Sequence, residues 1–502
     1  MRHPCTEKAV LSVVALMLAQ AASLAVQFAS SVILARRLSP AEFGTFAVLM
    51  FFVSLAHVLS EFGQGTVLIQ RPALSESQWR TSFTMQLLGA VGLSLLLLGV
   101  GPSLARAFQL GEDFARVLVW GGPMVLMAPL ERLSQVTLER RLAYGAIGAI
   151  SIVGGILYAV VAVSFAGHGF GLWSLVWGAL AASLGRTLLA LRLARWPIGI
   201  GVERASLAAL WHSGRLCQRA DLCGFLREHT PPLIAGPIFG PTAVGYLVWA
   251  RNLTYVGYHV FASALMRVGF SLVARLSESK EERSPSVGRV LEGMTCALMS
   301  VMTLLLMLLL GLAHPVIAVI YTEKWMPALP ALYLFGLRML GSAVLGLFVF
   351  FANGMGLFSI ASRSVVIWAA LEVGAALVLA PLWGFSGIAA ASALAVWGPT
   401  VWLARQLHTQ LSARAERVRF GEVVGKPVVV GGVVGGLLHA ISPYLTDLRT
   451  LLLAAALGTT VYALALWKWS DGLRQLIRHL WMQWWGSAKV FSSATLRNTP
   501  LP

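Results

Sequence analysis

The chain has 502 residues, 57% of them hydrophobic and only 12% charged, and its mean hydropathy is +0.76. This balance excludes a soluble globular domain and indicates a polytopic membrane protein. The formal charge of +17 would suit a nucleic-acid binder, but the basic residues sit in alternate loops, so no nucleic-acid partner is expected. The four cysteines, Cys5, Cys217, Cys223 and Cys296, lack metal or redox spacing and read as packing residues.

Apolar windows of about 20 residues, enough to cross about 30 Å of hydrocarbon, recur from end to end without barrel-type alternation. The first follows Arg2 and Lys8 and contains Ala19-Gln20-Ala21, but it continues to Leu34 and is too long for a cleaved signal. Spans are predicted near 9–34, 43–61, 81–101, 115–131, 144–166, 171–191, 212–237, 243–270, 290–312, 328–352, 361–380, 386–404, 427–442 and 450–468. The expected class is an all-α polytopic membrane protein with about 14 transmembrane helices. The outward loops carry only Arg36, Arg37, Arg106, Arg116, Lys324 and Arg449, so the positive-inside bias places both termini in the cytoplasm. The connections are short, leave no room for a soluble catalytic domain, and do not suggest an enzyme.

Ser39-Pro40-Ala41-Glu42-Phe43-Gly44-Thr45-Phe46-Ala47, entering the second span, is echoed by Gly240-Pro241-Thr242-Ala243-Val244-Gly245-Tyr246-Leu247-Val248, entering the eighth. Gly169-Phe170-Gly171 before the sixth is echoed by Gly384-Phe385-Ser386-Gly387 before the twelfth. An offset of six helices preserves orientation, so two six-helix lobes in parallel pseudo-twofold repeat are expected, with the site between them. The expected organisation is an N-terminal lobe at 1–192, a cytoplasmic linker at 193–211, a C-terminal lobe at 212–405, appended helices at 406–469 and a cytoplasmic tail at 470–502. In the tail, Leu476, Ile477, Leu480, Trp481 and Trp484 share one face, with Arg474 and Arg478 alongside, as in a helix lying in the membrane interface.

The stretch from Trp211 to Arg275 concentrates charge within apolar helices, with breaks expected at Pro231-Pro232 and Gly236-Pro237. A charge at bilayer depth costs from about 3 to about 10 kcal/mol and faces a protein interior or a watery cavity. Arginine keeps its charge and can hold phosphate oxygens with two parallel donors. The candidate anion and glycan site comprises Arg219, Arg227, Arg251, Asn252, Arg267 and Arg338. Arg186 is a further candidate, although Arg186 and Arg267 lie close enough to the inner face for their heads to reach water. Trp249, Tyr255, Tyr258 and His259 could stack on sugars or simply pack. Glu61, Asp221, Glu228 and Glu372 are candidates for coupling to H⁺ or Na⁺, with a structural hydrogen bond the competing role. No metal site or other cofactor is expected.

Leu34-Ala35-Arg36-Arg37-Leu38-Ser39-Pro40-Ala41-Glu42-Phe43-Gly44 and Glu61-Phe62-Gly63-Gln64-Gly65-Thr66-Val67-Leu68-Ile69-Gln70-Arg71 closely resemble the opening of the bacterial polysaccharide flippases. These are the O-antigen and exopolysaccharide transporters of the superfamily that also holds multidrug exporters and the peptidoglycan-precursor flippase. The segment 234–246 and Tyr321-Thr322-Glu323-Lys324-Trp325 resemble later parts of that family. The resemblance implies alternating access that carries undecaprenyl-pyrophosphate-linked oligosaccharide from the inner to the outer leaflet of the bacterial inner membrane. It implies membrane lipids, polysaccharide polymerase and chain-length machinery as partners. The chain departs from the family pattern at Pro231, where a carboxylate often stands; Asp221 or Glu228 could substitute. Two other readings are an organic-cation or drug exporter of the same superfamily and a membrane glycan polymerase or ligase.

Overall fold

The structure is a computed structural model that describes residues 25–71, 73–111, 113–278, 287–412 and 420–469. The first sixteen residues of the first predicted span, the side chains of Arg227, His259 and Arg267, and the amphipathic tail fall outside the described residues. The described chain is built from helices and contains no strand. In order these are α1 (residues 25–37), α2 (Pro40–Glu61), α3 (Gln64–Gln70), α4 (Glu76–Ala107), α5 (Asp113–Arg140), α6 (Tyr144–Gly167), α7 (Leu172–Ala194) and α8 (Arg204–Glu228). There follow α9 (Thr230–Glu278), α10 (Val287–Pro315), α11 (Leu329–Gly354), α12 (Phe358–Trp383), α13 (Phe385–Ala395), α14 (Trp397–Ser412), α15 (Phe420–Ile441) and α16 (Leu448–Trp469). Among the described residues, 11 helical segments are long and apolar enough to cross a membrane, which fits the expected polytopic all-α class.

Several boundaries differ from the sequence expectation, for physical reasons. Helix α5 continues to Arg140, so residues 132–140, read above as a loop, are helical; Arg132 and Arg140 find partners on α2 and α3. Helix α8 begins at Arg204 rather than near residue 212. Just before it, Glu203 accepts a hydrogen bond from Ser206 Oγ at 2.5 Å, and hydrogen bonds from Ser206 and Ser77 hold its carboxyl below the usual range. The expected break at Gly236-Pro237 lies instead at Gly240, whose φ of 74° and ψ of −176° are accessible to glycine and strained for other residues. Pro231 and Pro232 sit in the first turn of α9, where a missing N–H breaks no helical bond.

Two compact units divide the chain. The first comprises Met1–Leu253, Ile320–Leu332 and Trp368–Ser392, and the second Thr254–Val319, Tyr333–Ile367 and Ala393–Pro502. In the first unit Ser39 caps α2 through a capping box: Ser39 N donates to Glu42 Oε2 at 2.7 Å and Glu42 N to Ser39 Oγ at 3.3 Å. The repeated motif then shows its purpose. A Cβ on Gly44 would overlap the Pro241 carbonyl oxygen, and one on Gly245 would overlap the Pro40 carbonyl oxygen. The two copies therefore cross reciprocally, backbone on backbone, as small-residue contacts between membrane helices allow.

The segment around Trp325 closes over this crossing. Trp325 is fully buried, stacks on Trp249 at 4.8 Å, meets Phe43 edge-on at 5.4 Å and donates Nε1 to Ala35 O at 2.9 Å. Lys324 Nζ donates to Arg36 O at 2.9 Å and Leu38 O at 2.7 Å, satisfying carbonyls that the end of α1 leaves open. In return Arg36 Nε donates to Ile320 O at 2.7 Å. Trp249 is spent on this packing and meets Tyr321 as well, so its place is in the protein interior and not against a sugar.

In the second unit α10 packs on α15 and α16. A Cβ on Gly311 would lie 2.5 Å from Leu438 Cβ, and Tyr462 on α16 donates its hydroxyl to Ser300 O on α10 at 2.9 Å.

The Gly44 contact has a direct test. Replacement by alanine forces the helices apart, at a cost of about 1–3 kcal/mol, so Gly44→Ala should lower the thermal midpoint of the purified protein. Gly92→Ala, whose Cβ meets nothing within 4 Å, should leave it unchanged or raise it. Equal midpoints for the two variants would show that the crossing tolerates a side chain.

Candidate functional site

The first unit holds a polar chamber of about 200 Å³ between α2, α4, α5 and α7. Its position follows from the Glu61-Phe62-Gly63-Gln64-Gly65 stretch. Phe62 (φ 51°) and Gly63 (φ 65°) are both left-handed and turn the chain sharply from α2 into α3. A Cβ on Gly63 would overlap the Gly214 carbonyl of α8, and one on Gly65 would overlap Glu61 Oε1 and the Arg132 guanidinium. Glycine at these two positions lets the turn press against α8 and leaves room for an ion pair.

That pair joins Glu61 to Arg132 of α5, with Nε to Oε1 at 2.7 Å. Arg132 Nη1 lies 3.7 Å from Glu139 Oε1. A second pair joins Arg186 of α7 to Glu131, Nε to Oε1 at 3.1 Å, and Gln135 Nε2 donates to the same oxygen at 3.1 Å. The stem of Arg186 crosses Gly154 of α6, where a Cβ would lie 2.6 Å from its Cγ. His57 lines the chamber and bonds Met124 O through Nε2 at 3.1 Å. Gln86 lines it from α4 and belongs to a buried network in which Gln86 Nε2 donates to Ser82 Oγ at 3.2 Å and Ser82 Oγ donates to Gln64 Oε1. Two guanidinium groups and two carboxylates thus face one cavity. Each pair is partly buried, so breaking one side leaves an uncompensated charge.

Of the residues selected from sequence, Glu61 is in this chamber. Asp221 is exposed on α8 but feels the charges of Glu61 and Arg132. Arg219, two residues away, is exposed. Arg227 lies in the last turn of α8 and Arg267 in α9, their side chains undescribed. Arg251 is buried, and its Nη1 donates to the Glu228 carbonyl at the end of α8, pinning the break at His229 between α8 and α9. Beside it, Asn252 is exposed. Glu372 of α12 is fully buried and accepts from Ser392 Oγ at 2.7 Å. In the second unit Arg338 is fully buried, with its guanidinium carbon 5.6 Å from the Tyr255 ring centroid, and Tyr255 and Tyr258 lie 5.6 Å apart.

Within the first unit Glu61 pairs with Arg132 and Arg251 with the Glu228 carbonyl, while the Arg219 side chain is exposed. The sequence alone does not single out His57, Glu131, Arg132 or Gln135, and it offers Arg186 both as a candidate anion ligand and as a group reaching water. The available signal was the spacing of Glu131, Gln135 and Glu139, a polar stripe at helical period directly after Pro129. Among the described residues no three His, Cys, Asp or Glu side chains converge to hold a metal ion.

Residues 33–330 match the family described as "Polysaccharide biosynthesis protein". The succinoglycan biosynthesis transport protein ExoT of Rhizobium meliloti (strain 1021) is 25% identical over 360 residues, 70% of each chain. Among solved structures, the lipid II flippase MurJ in an inward closed conformation superimposes with a TM-score of 0.74 at 13% identity, covering 92% of this chain and 100% of that one. An inward-facing multidrug resistance MATE transporter of the MOP superfamily gives a TM-score of 0.57 at 13% identity, covering 80% of this chain and 100% of that one. The structural likenesses establish a shared fold, and the match across more than half of the sequence shows that this chain belongs to the polysaccharide biosynthesis protein family of membrane proteins.

Proposed function

We propose that this protein is a flippase that moves undecaprenyl-pyrophosphate-linked oligosaccharide from the inner to the outer leaflet of the bacterial inner membrane by alternating access, with both termini in the cytoplasm. The observation that carries this reading is the chamber in which Arg132 and Arg186 are held by the carboxylates Glu61 and Glu131. A pyrophosphate cannot cross hydrocarbon unaided, and it offers guanidinium groups more oxygens than a carboxylate does. Family membership and the names of the relatives, a succinoglycan transport protein and a lipid II flippase, support the same substrate class.

The exchange has an electrostatic consequence. When pyrophosphate takes the guanidinium groups, Glu61 and Glu131 lose their partners at membrane depth, where an unpaired carboxylate is costly. Each then takes up a proton or a small cation, so headgroup binding and ion uptake are linked. No bond is made or broken. Arg219, exposed on α8 beside Asp221, serves as a further headgroup contact. Arg251 acts as a positioning residue, since its guanidinium is engaged with the α8 carbonyl end. A cation exporter would need a surplus of carboxylate in the chamber, and the lining is balanced.

Transport in proteoliposomes loaded with a fluorescent polyprenyl-pyrophosphate saccharide tests this. Arg132→Gln/Arg186→Gln should slow headgroup translocation at least tenfold, while translocation at the parent rate would overturn the assignment. Parent protein that moves an organic cation and ignores the lipid-linked saccharide would instead establish the exporter reading. Glu61→Gln should remove part of the proton uptake that accompanies binding, read as a smaller pH change in weakly buffered solution.

A stability cycle separates pairing from transport. Arg132→Gln alone should cost more than Glu61→Gln/Arg132→Gln, with a coupling of about 1–3 kcal/mol in thermal or denaturant unfolding. Simple additivity would show that the pair contributes nothing to the fold.

A further inference from the structure

A second cavity of about 300 Å³ opens in the first unit, at the end of the bundle that the charge bias assigns to the cytoplasm. Its base is aromatic and closely packed. Trp79 and Trp196 stack with centroids 6.0 Å apart, Phe83 meets Trp196 edge-on at 5.4 Å, and Trp196 donates Nε1 to the buried Ser134 Oγ at 2.9 Å. Its rim is basic: Arg140, Arg141 and Arg195 line it, and among the described residues no aspartate or glutamate does.

The three arginines differ in their engagement. Arg140 Nη1 donates to Leu68 O at 2.6 Å and Arg71 O at 2.5 Å, closing the carbonyl end of α3. Arg141 and Arg195 are exposed, and neither side chain is engaged by an ion pair or hydrogen bond among the described residues. Both are set by left-handed turns that end helices, with Leu142 at φ 54° after α5 and Arg195 itself at φ 46° after α7. The contrast with the chamber above is informative. There each guanidinium has a carboxylate; here none of the described carboxylates lines the cavity, although the base is prebuilt.

We infer that this cavity is a separate binding site for the phosphate headgroup of an inner-leaflet lipid, clamped by Arg141 and Arg195 over the Trp79–Trp196 base. Two guanidinium forks can share the oxygens of one phosphate, and tryptophan suits the depth at which headgroup meets acyl chain. A phosphodiester of an anionic bilayer lipid and the pyrophosphate of a polyprenyl carrier offer the same chemistry. The site does not depend on which substrate is transported.

Native mass spectrometry of the purified full-length protein tests it, titrating phosphatidylglycerol, geranylgeranyl pyrophosphate and phosphatidylcholine. The parent should bind at least one of the first two tenfold more tightly than phosphatidylcholine. Arg141→Gln/Arg195→Asn should lose that preference, asparagine being chosen because it tolerates the left-handed turn. Arg116→Gln, at the opposite end of α5, should retain it. Preference for phosphatidylglycerol identifies a bilayer lipid as occupant, and preference for the prenyl pyrophosphate identifies the carrier; either supports the site. Equal affinity for all three lipids in the parent, or a double variant that binds like Arg116→Gln, overturns it. If the double variant does not fold, as judged by its lipid-free thermal midpoint, Arg141→Gln alone should weaken the preferred lipid at least threefold, and no change overturns the site. Because phosphatidylglycerol binding requires no translocation, failure here and failure of the flippase reading are distinguishable.

Discussion

A charge inside an apolar helical bundle must be met within a few ångströms, and in this protein the Glu61–Arg132 pair meets that demand. The surrounding geometry is arranged to permit it. Gly65 has no side chain because one would occupy the space of the pair, and Gly63 has none because the α2–α3 turn rests on the backbone of α8. The Glu61–Gly65 stretch is thus a packing solution to an electrostatic requirement. The same logic extends outward, since Glu131 holds Arg186, whose stem lies over Gly154.

The other constraint on the first unit is the reciprocal crossing at Gly44 and Gly245. Two backbones in direct contact form a joint that can separate or slide as a whole but deforms poorly, because no flexible side chain lies between them. Trp325, Lys324 and Arg36 close over the joint with hydrogen bonds to open helix-end carbonyls and a buried aromatic stack. Contacts of this kind exchange together, as packed interfaces with two discrete arrangements do.

The two cavities use arginine differently. In the chamber the guanidinium groups are neutralised by carboxylates, which suits a site whose ligand must later leave, since the protein's own anions can reclaim the cations. Among the described residues no carboxylate lines the aromatic-based cavity, which suits an occupant that stays. The proposed flippase would have use for both: one exchangeable site and one that anchors the unit to its leaflet.

The class was legible from composition and from the recurrence of apolar windows, because a helix that crosses hydrocarbon must satisfy its backbone internally and needs about 20 apolar residues to do so. The repeated Ser39–Ala47 and Gly240–Val248 motifs and the Glu61–Gly65 stretch were also visible, since small residues and left-handed turns constrain local sequence. The site was only partly legible. Glu61 was recognised as an intramembrane carboxylate, but Arg132 lay beyond the expected end of its helix and was read as a loop residue. A charged helical turn looks like a loop until its partners on other helices are known. Arg251 and Trp249 were conspicuous in sequence, yet the fold commits one to a backbone carbonyl and the other to a buried stack. Sequence alone determined that this is a polytopic helical membrane protein with charge at bilayer depth. Which charges meet, and which remain open to a ligand, was decided by tertiary structure, because ion pairing depends on distances between helices far apart in the chain.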